Sequence, residues 1–142
     1  MKKNLINLLA ICLILFASCK KDKTEKTSPL VGTWTKTKME TKTSSTNWTV
    51  DTRTCYTDDL EEYGADGSWT LYDGTKQCSA GSGITKGNWR LAANNTKIIF
   101  TYQAFSGEYE STVETLSETS LVLTQSVGDL ANTEVRITYV KK

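Results

Sequence analysis

The chain has 142 residues, with 17 basic and 16 acidic side chains and no histidine. So balanced a charge offers no concentrated basic face for nucleic acid. The missing histidine removes the commonest general base and metal ligand near neutral pH, and the length is that of one domain.

The first segment reads as a leader. Met1-Lys2-Lys3 is basic, and Leu5 to Phe16 is apolar except for Asn7. A membrane-spanning helix needs ~20 apolar residues, so this run fits a secretory h-region instead. Leu15-Phe16-Ala17-Ser18-Cys19 then closes it with two small residues and a cysteine. That ending resembles the lipobox of a bacterial lipoprotein signal, with Phe16 where Leu is more usual. The resemblance implies cleavage after residue 18 and acylation of Cys19. Two or more acyl chains hold a protein stably at a bilayer, so membrane lipid is the expected partner. Lysine rather than aspartate after Cys19 points by analogy to the outer membrane of the cell envelope. The periplasmic or surface face stays open.

Residues 19–29 read as the lipidated cysteine and a polar tether, ended by Pro29. The folded domain is expected over 30–142. Threonine is abundant there, with Trp, Tyr, Val and Ile spread throughout, which suits strands. No window carries a helical apolar repeat. The predicted strands are Gly32–Glu40, Asn47–Tyr56, Leu60–Gly64, Ser68–Tyr72, Ile84–Leu91, Thr96–Tyr102, Glu108–Leu116, Leu121–Ser126 and Glu134–Val140. Asp66-Gly67 reads as a two-residue hairpin turn with positive φ at both positions. Turns follow at Asp73-Gly74, Asn94-Asn95 and Glu118-Thr119. The expected class is all-β, an antiparallel meander of eight or nine strands closing into a barrel or folding as a sandwich. Cys55 and Cys78 are an even pair in an exported chain, which predicts a disulfide.

Several motifs carry a further resemblance. Leu30-Val31-Gly32-Thr33-Trp34 places Gly-x-Trp on the first strand. Tyr63 to Thr70 runs from an aromatic through Asp66-Gly67 into a strand, and Gly87-Asn88-Trp89-Arg90-Leu91 and Thr115 to Leu123 follow in order. Together, after a lipobox, these resemble the lipocalin-like lipoproteins of Bacteroidetes-type bacteria. The resemblance covers about residues 30–140 and implies a lipocalin-like barrel with Gly32 and Trp34 at its closed base. In lipocalins a late-strand arginine often packs over that Trp, and Arg136 is the residue in position to do so. Trp69, Trp89, Phe100, Tyr102, Tyr109 and Tyr139 either line a ligand cavity or belong to ordinary core. An eight-stranded barrel is just wide enough to fill itself or hold one small ligand.

Catalysis is not expected. No Gly-x-Ser-x-Gly elbow occurs, and there is no histidine to activate a serine. Asp58, Asp59, Glu61, Glu62 and Asp66 lack the EF-hand pattern and read as a solvated loop. Glu61 and Glu62 would point to opposite faces of a strand, which disfavours paired-carboxylate chemistry. No cofactor or metal is expected. The functional expectation is a non-catalytic barrel taking a small apolar or amphipathic ligand; the alternative is a filled barrel acting as a structural or protein-interaction module of an envelope complex.

Overall fold

The computed structural model describes residues 27–78, 83–104, 106–127 and 132–142. The expected leader, Cys19 and most of the expected tether lie outside the described residues. The described residues form strands and turns without helix: β1 (Gly32–Lys42), β2 (Thr49–Val50), β3 (Leu60–Tyr63), β4 (Ser68–Tyr72), β5 (Ile84–Ala92), β6 (Lys97–Tyr102), β7 (Glu108–Leu116), β8 (Ser120–Ser126) and β9 (Glu134–Lys141). From β3 to β9 each strand pairs antiparallel with the next. β1 pairs with both β3 and β9 and closes an eight-stranded barrel, while β2 adds to β1 outside the ring. The expected meander barrel is therefore the fold.

Alternation builds the interior. Cross-strand partners share a face, so Tyr63 opposite Trp69, Trp69 opposite Gly87 and Gly87 opposite Tyr102 set one inward row. Trp34, Tyr63, Leu30, Ile98 and Leu121 are fully buried. The first strand cannot keep this alternation unaided. Its register against β9 slips between Lys36 and Lys38, a bulge at Thr37. Trp34 and Lys36 point inward before the bulge and Met39 after it, opposite the inward Ile137. Without the extra residue Lys38 and Glu40 would face the core.

The barrel has two unlike ends. Short turns at 64–67, 93–96 and 117–119 lie at the base, beside the start of β1 and the end of β9. Leu30 seals this end, and the Trp34 indole N–H donates to its carbonyl at 2.8 Å. Truncating a buried Trp of this kind costs about 3–5 kcal/mol. Gly32 is favoured here because its φ is +133°, a backbone conformation that L side chains rarely adopt. The longer connections, between β1 and β3, β4 and β5, β6 and β7, and β8 and β9, all lie at the other end, the mouth.

Two local expectations change. The second predicted strand, Asn47–Tyr56, shrinks to two paired residues. Asp51 turns the chain away by accepting from the Arg53 backbone N–H at 2.9 Å and from its guanidinium, and the Tyr56 hydroxyl donates to the Asp51 carbonyl. At Asp66-Gly67 only Gly67 has positive φ, at 85°. The Gly64 N–H donates to the Ser68 carbonyl and the Gly67 N–H to the Gly64 carbonyl, so the loop is a three-residue turn closed by a left-handed glycine. Asp66 instead accepts from the Ser68 N–H and hydroxyl.

Candidate functional site

Between the sealed base and the mouth lies a cavity of about 300 Å³. Its walls are Trp69, Leu71, Phe100, Leu123 and Ile137, with Tyr102 toward the rim. Three ring contacts run along one side: Phe100 to Trp69 at 5.5 Å, Trp69 to Tyr102 at 5.3 Å and Tyr102 to the half-exposed Tyr109 at 4.9 Å, all edge-on.

The floor is polar. Glu61 follows the inward parity of β3, two residues before Tyr63, and is 5% exposed. Its Oε1 accepts from the Tyr139 hydroxyl at 2.9 Å, and its Oε2 accepts from the Tyr63 hydroxyl at 2.9 Å and the Trp69 indole at 3.2 Å. Lys36 Nζ stands 3.4 Å from Glu61 Oε1 and 3.6 Å from Asp59 Oδ2. A buried carboxylate is tolerated only when paired and hydrogen-bonded, and these four side chains meet that condition. Burial, and next the Glu61 charge, push the phenols of Tyr63 and Tyr139 well above their usual range. Both therefore stay protonated and donate. Ser111 and Gln125, bonded to each other at 3.3 Å, and Thr85 add to the polar lining.

The mouth is braced on one side. Cys55 and Cys78 are joined, with Cα atoms 5.1 Å apart. The bridge ties the β1–β3 connection to the β4–β5 loop. Beside it Asp58 Oδ2 accepts from the Thr75 N–H and hydroxyl and from the Lys76 N–H, while Asp59 Oδ1 accepts from the Gly74 N–H. These bonds hold the carboxyl of Asp58 below its usual value against the opposing effect of its burial.

The residues singled out in the sequence divide. Trp69, Phe100 and Tyr102 meet around the cavity. Trp89 does not join them. Its indole donates to the Gly64 carbonyl at 3.1 Å, and its ring meets Tyr63 edge-on at 5.8 Å, so it packs the base. Arg136 does not cover Trp34. It pairs with Glu40 on the outer face, five residues before Lys141, which is the β9 residue opposite Trp34. That interval is ~17 Å of strand. Lys141 takes the role instead: its Nζ lies 5.2 Å from the Trp34 ring centre and donates to the Pro29 carbonyl at 2.8 Å. The acidic run is also corrected. Asp59 and Glu61 are buried rather than solvated. Tyr139, also singled out in the sequence, lines the cavity, whereas Lys36 and Glu61 escaped the sequence reading as a site. The signal that could have found Glu61 was its alternation with Tyr63 on a strand whose Glu62 points out. No protein-family model matches the chain, and no curated protein matches it.

Proposed function

We propose that this is a lipid-anchored, lipocalin-like lipoprotein of a bacterial cell envelope, held through acylated Cys19, whose barrel takes up a small apolar or amphipathic molecule without chemical conversion. The observation that supports it is the cavity: about 300 Å³ with an aromatic wall and a few fixed polar groups, the composition of a small-molecule site. A second reading, a protein-interaction module, draws on Tyr72 and Ile84, exposed cross-strand neighbours on the outer face.

Native mass spectrometry of the protein purified from its own cells tests the first reading. A co-purifying small molecule, lost when Phe100→Trp narrows the cavity, is the expected result. A bare protein that also takes up no apolar probe would favour the second reading. The anchor is tested separately: Cys19→Ala should move the protein from the membrane to the soluble fraction, and unchanged retention would sink it.

A further inference from the structure

The polar floor narrows what such an occupant could be. Glu61 already accepts three hydrogen bonds, from Tyr139 at one oxygen and from Tyr63 and Trp69 at the other, with the Lys36 ammonium 3.4 Å away. A cationic head group would find that carboxylate taken and Lys36 beside it.

Lys36 is the reverse case. Its side chain is 13% exposed, and its ammonium reaches the cavity. A charged N–H···O bond is normally 2.7–2.9 Å, yet the carboxylate oxygens beside Lys36 are 3.4 and 3.6 Å away. They neutralise the ammonium but leave its three donors short of close acceptors. Gln125 adds an amide, another group able to donate, to the same lining. The unspent capacity of the floor is therefore for donation.

Charge decides the kind of acceptor. Asp59 and Glu61 already outnumber Lys36, so an anionic head would add a third negative group in a confined space. A neutral oxygen adds none. A cavity of about 300 Å³ suits a body of one or two rings or a short chain.

We propose that Lys36 is the polar anchor of the cavity, and that the occupant is a small neutral molecule presenting a carbonyl or hydroxyl oxygen to it from an apolar body. This rests on the reading of the barrel as a binding site. Glu61, locked by Tyr63, Tyr139 and Trp69, positions Lys36 and does not meet the ligand.

Three probes sharing a naphthalene body test it by equilibrium dialysis against the purified full-length chain: 2-acetylnaphthalene, 2-naphthoate and 2-ethylnaphthalene. The neutral ketone should bind at least fivefold more tightly than either other probe. Lys36→Met should bring the ketone down to the level of the ethyl compound and leave the ethyl compound within twofold. If Lys36→Met alone does not fold, Lys36→Met with Asp59→Asn removes one of the stranded carboxylates and carries the same expectation. Tightest binding of naphthoate, equal binding of all three, or a ketone preference that survives loss of Lys36 would overturn the anchor while leaving the cavity a binding site. No binding of any probe to the folded protein would overturn both.

Discussion

The guanidinium of Arg136 lies 4.3 Å from the centre of the Trp48 ring. Trp48 comes from the β1–β2 hairpin, which folds onto the outer wall and covers an ion-pair ladder. Beneath it Arg136 Nη2 meets Glu40 Oε2 at 2.8 Å, and Lys38 Nζ meets Glu40 Oε1 at 2.8 Å. Lys42 flanks the same ring at 4.7 Å.

This ladder makes the fold acid-sensitive. The hydrogen bond from Lys38, and then that from Arg136, hold the Glu40 carboxyl below its usual value against the cost of burial. A carboxyl depressed in the folded state stabilises above its unfolded value, about pH 4.3, and that stability is lost as pH falls through the folded value. Glu40→Gln should therefore lower stability by about 1–3 kcal/mol at pH 7. Urea midpoints measured at falling pH should show the two proteins converging below pH 4. A gap that stays constant with pH would contradict the assignment.

Glu61 should be the costliest polar residue to remove. Glu61→Ala strands two phenols, an indole N–H and Lys36 in the interior. Breaking a buried network from one side costs about 3–5 kcal/mol. Urea unfolding at neutral pH should show that loss. Glu61→Gln, which keeps one acceptor oxygen, should lose less.

Two glycines separate strain from collision. At Gly32 the obstacle to a Cβ is the flexible end of Lys141, and the remaining cost of Gly32→Ala is the positive φ, about 1–2 kcal/mol. At Gly87 a Cβ would come within 2.0 Å of the Thr101 carbonyl oxygen. Backbone cannot step aside as a side chain can, so Gly87→Ala should lose about 3 kcal/mol or more. Thermal melts should rank Gly87→Ala as the more damaging change; the opposite ranking would mean that β5 and β6 part easily.

The disulfide acts on the unfolded chain and on the mouth. It closes a loop of 23 residues' separation, worth about 3 kcal/mol by loop-closure entropy. Changing both Cys55 and Cys78 to Ser should lower the urea midpoint accordingly. Asp58 and Asp59 would still bind the β4–β5 loop, so hydrogen exchange should rise mainly around residues 73–78, with the base unchanged.

Much of this architecture was legible in the chain. Turn residues and alternation marked eight of the nine strands to within a few residues, because each strand buries one face against a single core. The failures have a common cause. Arg136 shares its strand with Ile137 and Tyr139, whose inward parity already sends it outward; only the register of β9 against β1 puts Lys141 beside Trp34. The burial of Asp59 and Glu61 was hidden because their partners, Lys36 and Tyr139, are brought to them by strand pairing and barrel closure, at separations of 23 residues and more. The two-residue β2 depends on side-chain bonds of Asp51 that compete with strand pairing.

Pro29 and Lys141 meet at the base, and the Lys142 N–H donates to the Thr33 carbonyl there. Both ends of the folded chain thus leave from the same pole, opposite the opening. A label or partner joined at either end would therefore sit at the sealed base and leave the opening clear.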